Sequence, residues 1–109
     1  PDDIPTLNNC AYYISITGGN LKKALKMSRK TIEAEPENAT YLDTYGWILY
    51  LQRKYSQAKI YLKKAVLYGG KESATVLEHY AETLKALGDT ATAEVYFNKA
   101  KLKKDAGQN

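Results

Sequence analysis

Small residues recur along this chain at a nearly constant interval. Ala11, Gly46 and Ala81 are separated by 35 and 35 residues, and a second set, Ala24, Ala58 and Ala93, is separated by 34 and 35. Two independent sets with the same interval indicate an internal repeat, and a period of this length is typical of stacked helical units. The repeat limits the chain to architectures in which each unit packs against its neighbours.

Residues 40–65 contain one complete unit of this repeat. Its first half has the i, i+3, i+4, i+7 spacing of a single helical face, at Leu42, Tyr45, Gly46 and Leu49. Its second half has a matching stripe, at Tyr55, Ala58, Leu62 and Ala65. A glycine within a helix costs about 1 kcal/mol relative to alanine, so Gly46 predicts a neighbouring helix that is too close for a side chain.

The period, the paired helices and the small residues at the helix crossing resemble the tetratricopeptide repeat family. The resemblance covers roughly Pro5 to Lys104 as three repeats, at about 5–38, 39–73 and 74–104, followed by a polar tail at 105–109. The best-matching residues are Gly19, Leu21, Ala24 and Pro36; Gly46, Tyr55, Ala58, Leu62 and Ala65; and Ala81, Gly88, Ala93, Phe97 and Ala100. The departures are Ser28, Arg53 and Gly70.

The resemblance implies an all-α fold, a right-handed α-solenoid of six antiparallel helices in a single domain over 1–109. The first helix of each pair would line the concave side. The runs at 8–13 and 41–50 also resemble the last repeats of long bacterial proteins, so we expect a piece of a longer chain, from either the cytoplasm or the cell envelope.

Helix boundaries follow from capping residues and helix breakers. We expect helices at about 6–17, 21–35, 39–53, 55–68, 74–87 and 90–104. Asn20, Asn38, Ser73 and Asp89 are the predicted N-terminal caps, because their side chains can accept hydrogen bonds from the first free backbone amides. No apolar run approaches the length of a membrane-spanning helix.

Basic residues concentrate on the second helices. Those helices carry 12 lysines and arginines against four carboxylates, a net +8, which leaves −4 for the rest of a chain of net charge +4. We interpret this as a solvated convex face, since no exposed aromatic residues are interleaved with the lysines. RNA binding through this face is the least favoured alternative.

The helical pattern predicts the composition of the concave surface. Its rows combine an aromatic floor, from Tyr12, Trp47 and Tyr50, with polar and acidic side chains, from Asn8, Asp43, Glu78 and Glu82. Such a groove favours a peptide or protein partner with apolar and basic side chains. Chaperone tails are not expected, because they end in carboxylates that Glu78 and Glu82 would repel.

The sequence indicates no catalysis and no cofactor. Phosphate-binding loops, zinc-ligand spacings and nucleophile elbows are absent from the sequence. His79 shares a helical face with Glu82, but a metal site needs further ligands, so we expect a surface or interhelix histidine. Cys10 lies in an apolar column beside Ala11, which predicts a packed core thiol.

The ends of the stack provide the alternative function. The first helix carries no charged residue between Thr6 and Thr17, and Val95 and Leu102 have no seventh helix to cover them. Repeat proteins usually need polar terminal units. We therefore keep as the alternative a structural spacer that stacks or self-associates through its ends.

Overall fold

The computed structural model describes residues 3–107. These residues form six α-helices and no strand. The helices are α1 (Ile4–Ile16), α2 (Leu21–Ala34), α3 (Ala39–Leu51), α4 (Tyr55–Leu67), α5 (Ala74–Ala86) and α6 (Thr90–Asp105), with a 3₁₀ turn at Gly70–Glu72. Within this part of the chain no helix is long and apolar enough to cross a membrane. The prediction of an all-helical repeat fold is confirmed.

Side chains cap the helices at the positions that the sequence predicts. Asn20 and Asn38 accept hydrogen bonds of 3.1 Å from the amides of Lys23 and Tyr41. Ser73 and Asp89 cap α5 and α6 in the same way. Each cap supplies a partner for an amide that the helix itself cannot satisfy.

The first helix begins earlier than we expected. The sequence predicted a polar lead-in up to Thr6, whereas α1 starts at Ile4. The cause is Asp3, whose side chain accepts hydrogen bonds from the backbone amide and the hydroxyl of Thr6. Pro5 also suits the first turn, where its missing N–H is not needed.

Helices pack in antiparallel pairs, α1 with α2, α3 with α4 and α5 with α6. In the second pair Tyr45 meets Tyr61 edge to face, with ring centroids 4.7 Å apart. In the third pair Tyr80 and Tyr96 repeat this contact at 4.8 Å. The two pairs therefore share one packing arrangement, displaced by 35 residues in sequence.

The helices form two layers. Since α3 contacts both α1 and α5, these three form one layer, which we call the inner helices. The outer helices are α2, α4 and α6. The six small residues of the repeat lie between the layers, and all of them are buried: Ala11, Ala24, Gly46, Ala58, Ala81 and Ala93.

Gly46 lies where α3 closely approaches Leu62 of α4. A Cβ atom on Gly46 would lie 2.7 Å from Cγ and 3.2 Å from the backbone nitrogen of Leu62. Leu62 is fully buried, so it has little room to move away. The glycine therefore allows the two helices to approach more closely than any side chain at this position would permit.

Cys10 is exposed, so the prediction of a packed core thiol is wrong. Its counterparts Tyr45 and Tyr80 are each only 6% exposed. Tyr45 is covered from the preceding pair, where Arg29 donates hydrogen bonds to its hydroxyl. The described residues place no helix in the corresponding position before α1, so the same column is buried in the second and third repeats and open in the first.

We predict that Gly46→Ala destabilises the fold. Overpacking against Leu62 costs about 1–3 kcal/mol, and the helix-propensity gain of about 1 kcal/mol offsets only part of it. Urea denaturation followed by circular dichroism should show a net loss of up to about 2 kcal/mol. The exposed helical control Gln57→Ala should change stability by less than about 0.5 kcal/mol. Unchanged stability in Gly46→Ala would mean that the Leu62 side chain can move aside to accommodate the added methyl group.

We also predict that Cys10 reacts with a disulfide reagent in the folded protein. The matched control combines Cys10→Ser with Ser28→Cys, because Ser28 is completely buried and differs from cysteine by one atom. Labelling of Cys10 should be complete without denaturant, whereas the thiol at position 28 should react only on unfolding. Protection of Cys10 in native buffer would contradict the exposed position.

Candidate protein-binding surface

Three aromatic rings form a continuous stack on the inner helices. Trp47 lies between Tyr50 of α3 and His79 of α5. The ring centroids are 4.3 Å and 3.9 Å apart, and the planes are within 6° and 12° of parallel. Both faces of the indole are therefore covered, so the position of Trp47 is fixed by its neighbours.

His79 is held by a carboxylate from the neighbouring repeat. Its Nδ1 lies 2.9 Å from Oδ1 of Asp43, and both side chains are nearly buried, at 12% and 10% exposure. Because an ionised carboxylate only accepts hydrogen bonds, Nδ1 is the donor in this contact. The pair joins α3 to α5 directly beside the aromatic stack.

His79 is thus an interhelix residue, and its partner is neither of the glutamates near it in sequence. Sequence reasoning left it out of the binding surface because Asp43 is 36 residues away. The repeat supplies a signal that could have found the contact, since corresponding residues of adjacent inner helices are 35 apart. In the described residues 3–107, no three His, Cys, Asp or Glu side chains are grouped to hold a metal ion.

A polar cavity of about 300 Å³ lies beside the stack and is shared by the three inner helices. Asn8, Tyr12 and Asp43 line it, so three of the residues predicted for the concave surface meet there. Asn8 is only 4% exposed, and its side-chain oxygen is buried without a hydrogen-bond partner. Threonine and serine side chains from the starts of α3 and α5 complete the wall: Thr40, Thr44, Ser73 and Thr75.

The two predicted glutamates have different surroundings. Glu78 accepts a hydrogen bond of 2.7 Å from Nζ of Lys104, so part of its charge is compensated within the protein. Glu82 is half-buried on α5 and interacts electrostatically with Tyr50. Burial, and after it the charge of Glu82, raises the pKa of the Tyr50 phenol above its ordinary value. The negative charge of Glu82 therefore contributes to the electrostatic potential at the aromatic stack.

Charge separates clearly between the layers. The inner helices contain Asp43, Glu78, Glu82 and Lys85, a net charge of −2 with histidine neutral. The outer helices contain 12 lysines and arginines and three carboxylates, a net charge of +9. A ligand that approaches the inner face meets an acidic, aromatic surface, whereas the outer face is strongly basic.

The paired helices, the two layers and the repeating contacts define a helical solenoid of the tetratricopeptide type. Two solved structures with this fold are similar to the chain: MamA from MSR-1 and MamA from AMB-1, each at a TM-score of 0.78 and 20% identity. They cover 98% and 97% of this chain. This chain in turn spans only about three fifths of the length of each MamA chain, 60% and 62% respectively.

Sequence comparison adds no relative to these structures. No family model matches the chain, and no curated protein matches it. The similarity to the MamA structures therefore establishes the fold. The function has to be inferred from the residues on the surface.

We predict that Glu82→Gln lowers the pKa of Tyr50 towards the ordinary value, while burial keeps it raised. NMR titration of the Tyr50 ring carbons measures this, with the outer-face variant Glu94→Gln as the matched control. A raised phenol pKa stabilises the fold fully below the unfolded pKa of about 10, and this contribution is lost as pH rises through the folded pKa. An unchanged Tyr50 titration in Glu82→Gln would place Glu82 outside the groove.

Proposed function

We propose that this chain is a noncatalytic protein-interaction module whose concave face, formed by the inner helices, binds a segment of a partner protein. The observation that carries the proposal is the ordered Tyr50–Trp47–His79 stack beside Glu82. Rings held in place by their neighbours lose little conformational freedom on binding, which favours their use as contact residues.

The chemistry of this face favours a partner segment with apolar and basic side chains. Aromatic edges and the methyl groups of the polar cavity accept apolar side chains, and Glu82 attracts a lysine or arginine. The Glu78–Lys104 pair is solvent-exposed, and such pairs contribute about 0–1 kcal/mol, so a basic ligand residue could replace Lys104 at little cost. Asn8 and Tyr12 would contact the segment at the far end of the groove.

The alternative is a spacer that contributes to a longer stack and contacts no partner through its inner face. The observation that favours it is the uncovered surface of α1, where Tyr13 is 66% and Ile16 54% exposed. Stacking through this end would bury apolar surface without involving the groove. The two functions differ in whether changes on the inner face matter.

We predict that Glu82→Lys weakens the peptide binding that the wild type shows. The probe is a library of displayed 12-residue peptides, and affinities of selected peptides are measured from the fluorescence of Trp47, the single tryptophan. Selected sequences should be enriched in lysine, arginine and aliphatic residues. Reversing the charge at Glu82 should weaken them by at least about tenfold, or 1.4 kcal/mol.

The matched control is Glu94→Lys, which makes the same charge change at an exposed position of α6. It should leave affinity within about threefold. If Glu82→Lys and Glu94→Lys bind selected peptides equally well, the inner-face proposal fails. Concentration-dependent association in sedimentation, suppressed by Tyr13→Glu, would then support the spacer.

A further inference from the structure

A second groove lies between the C-terminal half of α6 and the connection from α4 to α5. It encloses about 570 Å³. Apolar side chains form its floor, and lysines stand at its rim: Leu77, Tyr96 and Leu102 for the floor, and Lys71, Lys99 and Lys103 for the rim. None of these residues belongs to the concave surface described above.

The exposure of Leu102 is not caused by the end of the stack. Leu102 is 69% exposed, and its counterpart Leu67, which is followed by a complete further helix pair, is 71% exposed. Val95 and its counterpart Ile60, one repeat earlier, are likewise similar, at 49% and 54% exposure. These four aliphatic side chains face outwards in both repeats, contrary to the expectation that a missing seventh helix leaves Val95 and Leu102 uncovered.

The apolar outer positions are also not a general consequence of the repeat. In the first repeat Lys26 and Glu33 occupy the positions of Ile60 and Leu67. Large exposed aliphatic side chains are unfavourable in water, and grouping them on one face is typical of an interaction surface. The outer face of the second and third repeats therefore carries exposed aliphatic side chains at two positions where the first repeat carries charged ones.

The connection between α4 and α5 builds one wall of the groove. It spans residues 68–73, whereas the connection between α2 and α3 spans 35–38. The additional length forms the 3₁₀ turn that carries Lys71. Gly70 makes this turn possible, because a Cβ atom there would lie 2.5 Å from the carbonyl oxygen of Ala65.

The rim is basic. Lys103 donates a hydrogen bond of 2.7 Å to Glu72, the one carboxylate among the described residues that line the groove. Lys99 lies 6.0 Å from the centre of the Tyr96 ring, over the floor. A ligand of negative charge is therefore favoured.

The dimensions fit a helix. Along α6 and its C-cap the lining runs from Tyr96 to Ala106, a separation of ten residues, which corresponds to about 15 Å at 1.5 Å per residue. Helical backbone surrounds the floor and offers no free strand edge, so an extended segment would find no ladder of backbone partners. A helix satisfies its own backbone and binds such a groove through side chains at i, i+3, i+4 and i+7.

We propose that this groove is a second docking site, for an acidic amphipathic helix of a partner protein. The apolar stripe of the helix would contact Tyr96 and Leu102, above the buried Leu77, and carboxylates at the edges of the stripe would face Lys71, Lys99 and Lys103. The site is independent of the inner face, so one module could hold two partners at once.

The experiment uses a 16-residue capped peptide of leucine and glutamate, with leucine at i, i+3, i+4 and i+7, and its counterpart with lysine in place of glutamate. Affinity is measured by fluorescence anisotropy of labelled peptide, and the site by amide shifts in NMR. The acidic peptide should bind at least tenfold more tightly than the basic one, and shifts should concentrate on residues 66–77 and 96–106.

The repeat provides matched variants. Leu102→Glu and Lys99→Glu should each weaken the acidic peptide by at least tenfold. Leu67→Glu and Lys64→Glu make the same changes one repeat earlier, at residues of similar exposure or ring contact outside the groove, and should change affinity by less than threefold. Glu82→Lys, on the inner face, should also bind within threefold.

Three outcomes would overturn the proposal. The first is no saturable binding of the acidic peptide, and the second is equal weakening by Leu102→Glu and Leu67→Glu. The third is preferential binding of anionic phosphatidylglycerol vesicles or of single-stranded RNA, with no binding of the acidic peptide, which would assign the basic outer face to a membrane or to nucleic acid.

Discussion

The close approach of α3 and α4 at Gly46 sets the geometry on which the rest of the structure depends. Leu62 occupies the space that a side chain on Gly46 would need, with Cγ only 2.7 Å from the position of a Cβ. Small residues at the same column of the other repeats keep their helix pairs close as well. Close pairs in turn allow each pair to stack on the next, so both surfaces that we propose for binding depend on this contact.

The stack separates two chemical environments. The inner helices place rings and carboxylates together, and the Asp43–His79 contact ties the second repeat to the third at the centre of that surface. The outer helices place lysines around exposed aliphatic side chains. Opposite charges on the two layers give the two proposed docking sites opposite charge preferences.

The position of a residue within the repeat explains the exposure of its side chain better than its residue type does. Cys10, Tyr45 and Tyr80 occupy one column, and the two tyrosines, each of which follows a preceding helix pair, are buried, whereas Cys10 is exposed. Leu67 and Leu102 occupy another, and both are exposed because that column faces outwards in every pair. A residue's burial in this fold is therefore set by its column and by whether a neighbouring pair is present.

The sequence by itself determined the six helices, the caps at Asn20, Asn38, Ser73 and Asp89, and the repeating pairs. These depend on local features, namely the spacing of apolar residues, the cap side chains and the interval between small residues, and all of these can be seen without coordinates. The sequence also led us to the residues of the inner face, although their role in binding stays a prediction.

Only the tertiary structure decided which side chains meet. The pairing of Asp43 with His79, the covering of both faces of Trp47 and the groove beside Leu102 join residues from different helices. Helical periodicity fixes the face on which a residue lies, but not the partner that the neighbouring helix presents there. That partner depends on interhelix distance and loop length, which are set when the repeats pack against one another.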